Sequence, residues 1–320
     1  MMPPTAPVAL PWSVLEAAFG ERLQRRVPLA PYTSARLGGP ADALLIVRSA
    51  DELAEAVAWL WAHEVPFLVL GGGSNVLVSD AGVRGVVLLN KAAAVRFGED
   101  EEGSWVRAES GANLGRVARR AALQGLAGLE WAAGIPGTVG GAVVGNAGAH
   151  GGDMAGVLRV AEILHRREGR VTWPVERLAY GYRTSWLKVH PGEAVVLAAT
   201  LRLRPGDPQE LQARLEEGRA YRQRTQPPGA SMGSMFKNPP GDYAGRLIEA
   251  AGLKGTRIGG AEISRVHANF IVNHGDATAR DVAELLRLAR CTVAERFGVR
   301  LDLEIQLIGD WPPEVLADLV

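Results

Sequence analysis

The sequence predicts a two-domain α/β protein. Three observations carry that expectation. The chain has 320 residues, a length that suits about two domains. Hydrophobic residues make up 47% and charged residues 22%, the balance of a globular chain with a sizeable core. Short apolar runs alternate with helix-period segments, and many of the 39 glycines gather in a few turn-rich stretches that punctuate the alternation.

Taken in order, Ala43–Val47 is a short apolar strand, and Ser49 with Glu52 forms a capping box for a helix that ends near His63. Pro66–Leu70 is a buried strand, followed by "GGGSNVLVSD" at 71–80. A dinucleotide fingerprint needs G-x-G-x-x-G opening a helix. Here the glycines are consecutive and Val76–Val78 reads as strand, so that reading fails. Two readings remain: a glycine nest whose N–H groups cradle a phosphate, or a Gly-rich hairpin without a ligand. Trp105–Ala108 is strand-like, and Asn113 caps a helix over Leu114–Gln124 that Gly125 stops.

Residues 131–149 contain no charge, but Pro136 and glycines 134, 137, 140, 141, 145 and 148 break any helix there. This stretch is read as packed loop and strand rather than a membrane span. Its glycines allow close approach of a flat or extended ligand, or make a tight loop without one. Val160–His165 and Val171–Trp173 bracket a hairpin, Glu193–Leu203 is a strand, and "RPGDPQ" at 204–209 is a linker. Glu210–Arg224 and Gly245–Leu253 are helical, and Asn269–Asn273 is a strand. Thr278 and Asp281 cap a long helix through Phe297, and Arg300–Ile308 closes the domain as a strand with Asp302, Glu304 and Gln306 on its polar face.

The totals narrow the function. Thirty-five basic residues balance 35 acidic ones, so no global field draws nucleic acid or an anionic membrane. Cys291 is the single cysteine, which forbids an internal disulfide and fits a reducing compartment. The N-terminal "MMPPTAPVALPW" lacks the pattern of a signal peptide. The six histidines have no metal-ligand spacing; His267 alone is kept as a possible site neighbour. "GSMFKNPPGDYAG" at 233–245 holds Ser234, Lys237 and Asn238 without the G-x-S-x-G elbow of a nucleophile. Lys237 suits an anion, Arg183 in "YGYRTSW" suits a carboxylate, and each has a surface or ion-pair role as its alternative. Residues alone reach a two-domain protein with a phosphate-bearing cofactor and an anionic substrate.

Six motifs, in this order, carry a more specific resemblance: "GGGSNVLV", "GIPGTVGGAVVGNAGAHG", "YGYRTSW", "GSMFKNP" with "GRLIEAAGLKG", "HANFIVN" and "LDLEIQLIG". Over roughly Pro31 to Gly309 the chain resembles the UDP-N-acetylenolpyruvoylglucosamine reductase (UDP-N-acetylmuramate dehydrogenase) family, in the shorter class that lacks a tyrosine-bearing insertion. The resemblance implies an α+β fold: a vanillyl-alcohol-oxidase-type FAD-binding domain at 31–205, with subdomains at about 31–90 and 91–205, and a C-terminal α+β substrate domain at 206–309. It implies non-covalent FAD, with NADPH as co-substrate, and a cytoplasmic enzyme of peptidoglycan precursor synthesis. No nucleic acid, membrane or protein partner is implied. The catalytic positions fall on Arg183, Ser234 and Glu304. Gly71, Gly72, Gly73, Ser74 and Asn75 would hold the FAD pyrophosphate, with Ile135, Pro136, Gly137, Gly140, Gly141, Gly145 and Asn146 along the cofactor. Tyr182, Lys237, Asn238, Arg222 and Arg224 fall to the substrate.

The implied reaction reduces an enol ether beside a carboxylate, with hydride passing from NADPH to FAD and on to the vinyl terminus. Charge then builds on the neighbouring carbon. A serine hydroxyl can protonate that carbon without a triad, an arginine can pair with the carboxylate, and Glu304 can act as a second acid or orient the site. Two alternatives stand beside this reading: another FAD oxidoreductase of the same flavin fold, and a non-catalytic nucleotide-sugar-binding module.

Overall fold

A computed structural model gives the fold over residues 10–317 and at Leu319. Residues 1–9, on which the reading of the N-terminus mostly rests, lie outside the described residues. The chain divides into two compact units and crosses between them at 44/45, 72/73, 86/87 and 222/223. One unit holds the residues up to Leu44, Gly73–Val86 and the chain from Gln223 onward; the other holds Leu45–Gly72 and Val87–Arg222.

The second of these units is built on a five-stranded antiparallel sheet. Its order is Gly169–Pro174, Leu158–His165, Ala194–Arg202, Gly103–Glu109, Val95–Asp100. The hairpin expected around "REGR" is present, with His165 opposite Gly169. The strands turn Val106, Ala108, Ile163, Ala199 and Leu201 into a core. The helix Leu114–Leu123 closes over that core with Leu114, Val117, Ala118 and Ala121 buried, the i, i+3, i+4, i+7 stripe of an amphipathic helix. Asn113 caps it as expected, accepting the Arg116 N–H at 2.9 Å.

Two local expectations are corrected in this unit. At the helix Ala50–Ala62, Ser49 Oγ accepts the Glu52 N–H at 3.1 Å, but Glu52 returns its carboxylate to the N–H of Arg48 at 2.9 Å. The capping box is therefore open, because the entering chain turns Arg48 rather than Ser49 toward the carboxylate. The glycine-rich stretch also contains a helix, Val139–Gly145. Thr138 Oγ1 caps it, accepting the Gly141 N–H at 3.3 Å. Val139, Ala142 and Val143 bury in the same core. A Cβ at Gly140 would lie 2.8 Å from that of Ser110, so the residue that weakens the helix locally also allows its close packing.

The other unit is organised by the helix Ala279–Phe297. Its capping box closes in full: Thr278 Oγ1 accepts the Asp281 N–H at 3.0 Å and Asp281 accepts the Thr278 N–H at 2.8 Å. Val282, Leu285, Leu286, Ala289 and Val293 are completely buried. They share a core with a three-stranded antiparallel sheet of Arg257–Ile258, Ala261–Ile263 and Ile271–Asn273. The strand expected over Arg300–Ile308 is shorter than its alternation implied. Only Gln306–Ile308 is strand, paired in parallel with Val76–Val78. Leu301 and Ile305 are buried while Asp302 is exposed, so the alternation reports burial along an extended segment, not a full ladder.

Among the described residues, no helix is long and apolar enough to cross a membrane, and no group of three His, Cys, Asp or Glu residues is arranged to hold a metal.

Candidate active site

In the unit that contains Ser234, two extended segments run side by side. Glu304 donates its N–H to Met235 O at 2.8 Å, and Lys237 donates its own to Asp302 O at 2.8 Å. Phe236 bridges Leu303 in the antiparallel sense. Met235 and Phe236 are buried anchors, so Ser234 and Lys237 flank a fixed dipeptide. Ser234 is half-buried, and its hydroxyl makes no hydrogen bond to a protein group among the described residues. Lys237 is half-buried and its ammonium meets no carboxylate there. Glu304 is half-buried, on a bend just before the strand rather than within it.

Asn75 brackets Glu304. Its Nδ2 donates to Glu304 O at 3.1 Å, and its own carbonyl accepts the Gln306 N–H at 3.0 Å. Gly73, at φ 59°, brings the chain so close to Tyr32 that a Cβ would lie 2.2 Å from its carbonyl oxygen. Asn238 Oδ1 accepts the Ala244 N–H at 3.1 Å, which satisfies the first turn of the helix Ala244–Ala250. Arg224 is exposed, with no carboxylate partner among the described residues. His267 is half-buried; burial first, then the Lys254 charge, hold its imidazole below the usual histidine value.

In the other unit, "YGYRTSW" serves the end of the helix Val139–Gly145. Tyr180 Oη donates to Val143 O at 2.8 Å and Ser185 Oγ to Val144 O at 2.6 Å. Arg183 donates to Asn146 O at 3.4 Å and to Gly148 O at 2.7 Å. The carbonyls of Val143, Val144 and Asn146 are those a helix end leaves without internal partners, at the end of the dipole where a cation is favoured, and Gly148 lies just beyond it. Arg183 has φ 56°, an uncommon conformation for a non-glycine residue. The exposed Tyr182 ring lies 5.3 Å from its guanidinium carbon.

Burial first, then the charge of Arg183, pull Arg222 below the usual arginine range. Arg222 has no carboxylate partner among the described residues. A half-buried cation beside another suits an anion. Asn146 is buried, and its side chain is already committed: Oδ1 accepts the Ala155 N–H at 3.0 Å and Nδ2 donates to Gly181 O at 3.1 Å.

The glycine segments fit a phosphate-bearing group unequally. The N–H groups of Gly71 and Gly72 have no protein acceptor among the described residues, as a nest for phosphate requires. The N-terminus of Val139–Gly145 has no such capacity. Val139 donates to Ala112 O at 2.9 Å, Gly140 to Ser110 O at 2.8 Å, and Gly141 to Thr138 Oγ1. Ile135 packs against the core and Pro136 is exposed. Thr138, Tyr180 and Ser185 were not singled out in the sequence. Their signal is the two ends of a helix, which need an acceptor at Thr138 and donors at Tyr180 and Ser185, and the glycines of this stretch hide that helix.

Comparison with known proteins covers both units. Residues 223–308 match the family model described as UDP-N-acetylenolpyruvoylglucosamine reductase, C-terminal domain. Residues 41–171 match one described as an FAD binding domain. The UDP-N-acetylenolpyruvoylglucosamine reductase of Chloroflexus aggregans is 49% identical over 289 residues, 89% of this chain and 97% of that protein. The reductase of Rubrobacter xylanophilus is 51% identical over 284 residues, 88% of this chain and 94% of that protein. The crystal structure of the Thermus caldophilus reductase superposes with a TM-score of 0.75 at 40% identity, covering 91% of this chain and 99% of that one.

Proposed function

The chain belongs to the UDP-N-acetylenolpyruvoylglucosamine reductase family, and from that premise we propose how its residues divide the work. The protein is an α+β flavoenzyme with an FAD-binding region of the vanillyl-alcohol-oxidase type. It reduces the enolpyruvyl group of UDP-N-acetylenolpyruvoylglucosamine to give UDP-N-acetylmuramate, a peptidoglycan precursor, with FAD as cofactor and NADPH as co-substrate. When bound, FAD would supply the hydride chemistry that links NADPH to the vinyl terminus of the substrate.

Ser234 donates the proton to the carbon that bears the carboxylate. The observation that carries this assignment is its hydroxyl, half-buried and without a hydrogen bond to any of the described residues, beside a dipeptide bonded to Glu304. Arg183 pairs with the substrate carboxylate as negative charge spreads into it. Glu304 acts as a second acid or orients the site. Lys237 and Arg222 supply charge for the diphosphate, with Tyr182, Asn238 and Arg224 as further substrate contacts. Gly71, Gly72, Gly73, Ser74 and Asn75 hold the pyrophosphate of FAD. Their support is strongest at Gly71 and Gly72, where N–H groups have no protein acceptor among the described residues. The stretch Ile135–Asn146 lines the cofactor through backbone and surface, since the Gly140 and Gly141 N–H groups and the Asn146 amide are committed elsewhere.

By this division residues 31–205 form the flavin domain, with subdomains at about 31–90 and 91–205, and residues 206–309 the substrate domain. The enzyme works in the cytoplasm, where a nucleotide-sugar and NADPH are available and a lone thiol stays reduced. FAD is held without a covalent bond: Cys291 lies in the helix Ala279–Phe297 and His150 is exposed at the end of the glycine-rich stretch.

The test is direct. The purified protein should be yellow, release free FAD on denaturation, and consume NADPH when the enolpyruvyl substrate is added. Flavin that stays with the precipitated chain contradicts the non-covalent assignment, and NADPH consumption that ignores the substrate contradicts the function.

A further inference from the structure

We propose that Asn269 is a positioning residue for the proton transfer: it fixes Met235 and Phe236, and through them the placement of Ser234 relative to Glu304. The inference rests on the reading that Ser234 is the proton donor.

Asn269 is 3% exposed. Its Oδ1 accepts the Phe236 N–H at 3.0 Å, and its Nδ2 donates to the Phe236 carbonyl at 2.8 Å. Its main-chain carbonyl accepts the Met235 N–H at 3.0 Å. A side-chain amide that accepts from and donates to the main chain of one residue imitates a neighbouring strand. Residue 269 precedes the strand Ile271–Asn273, so the amide supplies a rung where no strand pairs. On its opposite edge the same dipeptide is bound by Glu304 N–H and bridged to Leu303. The two residues that follow Ser234 are thus held from both sides, and one of those sides carries Glu304.

Asn269 is itself held: its N–H donates to His267 Nδ1 at 3.2 Å, which puts any ring proton of a neutral His267 on Nε2. None of its bonds goes to Ser234 or Glu304; it acts through the main chain between them. Removing the amide leaves the Phe236 N–H and carbonyl buried without partners, since Phe236 is 1% exposed. A buried main-chain group without a partner is costly enough that the segment must shift to find one. That shift occurs next to Ser234, and a displacement of about 1 Å in a reacting group costs up to roughly a hundredfold in rate.

The experiment crosses Asn269→Gly with Ser234→Ala in the holoenzyme. It measures kcat, KM for UDP-N-acetylenolpyruvoylglucosamine, FAD content and thermal midpoint. With Ser234 present, Asn269→Gly should lower kcat about 10–100-fold and leave KM and FAD content within about twofold. In the Ser234→Ala background the same change should lower kcat less than about twofold, because there is no donor left to misplace. Should Asn269→Gly fail to fold, Asn269→Asp carries the test, since it keeps the volume and the bond from the Phe236 N–H; its expected loss is about tenfold, again only with Ser234 present. Equal losses in both backgrounds, or an unchanged kcat, overturn the positioning role while leaving Ser234 as donor. Full kcat in Ser234→Ala alone overturns the donor assignment, and this role with it.

Discussion

Around Ser234 the chain is held by main-chain bonds on one edge and by the Asn269 amide on the other, none of them through Ser234 itself, whereas around Arg183 it is held by the side chains of the site's own motif. Glu304 N–H, Lys237 N–H and the bridge between Phe236 and Leu303 fix the first region, and none of them uses the Ser234 hydroxyl. In the second, Tyr180, Arg183 and Ser185 spend their polar groups on the carbonyls beyond Ala142. The difference separates two kinds of site. A group that its scaffold does not use can be replaced with little structural cost, so its kinetic effect reports chemistry. A group that is part of its own scaffold changes structure and chemistry together.

The sharpest use of that contrast is Ser234→Ala. Reoxidation of the reduced flavin by the enolpyruvyl substrate should slow by roughly 10²–10⁴, the usual contribution of a positioned general acid. Flavin reduction by NADPH should be unchanged, and stability should stay within about 0.5 kcal/mol because no hydrogen bond to the described residues is lost. Stopped-flow absorbance separates the half-reactions; equal loss in both would make Ser234 structural and erase the contrast. Arg183→Lys comes next. It keeps the charge but gives up the guanidinium fork, and kcat/KM should fall about 10²–10³. Unlike Ser234→Ala it should also lower the unfolding free energy, by about 1 kcal/mol for the lost bond to Gly148 O. A stability equal to wild type would show that the two regions are not built differently.

Lys237→Ala tests whether the main-chain scaffold leaves an ammonium free for the substrate. Substrate affinity should fall one to two decades, from a charge-assisted contact of about 1.5–3 kcal/mol, with flavin reduction intact. Unchanged affinity, by titration of the oxidised enzyme, would return Lys237 to the surface. The smallest effect is a control away from both regions. Glu162 receives two bonds from Arg107, one of them 2.8 Å long, and that pairing holds its carboxyl below the usual glutamate range. The folded value is depressed, so the stability it contributes is present above the unfolded pKa and lost as pH falls through the folded one. Glu162→Gln should cost about 1 kcal/mol at neutral pH, with the gap to wild type closing in acid. Activity that falls in proportion would mean that kinetic losses elsewhere reflect folding.

The sequence was most legible where a pattern had one cause. Thr278 and Asp281 announced a helix start because both sides of the box are local. The hairpin around "REGR" followed from alternation and a short turn. Legibility failed where tertiary contacts outvoted local preference. Val139–Gly145 is helical although Gly140, Gly141 and Gly145 argue against it, because the core buries Val139, Ala142 and Val143 and has no room for a Cβ at 140. Leu301 to Gln306 alternates like a strand, yet apart from the single bridge between Leu303 and Phe236 only its end finds a ladder partner. Ser234, Lys237 and Arg183 were visible as residue types in turn-rich motifs. Asn269 was visible only as a letter in "HANFIVN", since its role depends on a dipeptide 33 positions away.

The bond from Asn75 to Glu304 joins residues 229 positions apart. Protein synthesis is directional, so Asn75 leaves the ribosome long before Glu304 exists. The parallel pair of Val76–Val78 with Gln306–Ile308 must wait in the same way, and pairings so far apart in sequence form slowly. Excising residues 223–308 as a stand-alone piece would discard the strand that pairs with Gln306–Ile308, and that piece should express as an insoluble or unfolded fragment. During translation the glycine segment spends most of its early life without its late partner, and the acid beside Ser234 acquires its full set of main-chain bonds only once the last sixteenth of the chain is being made.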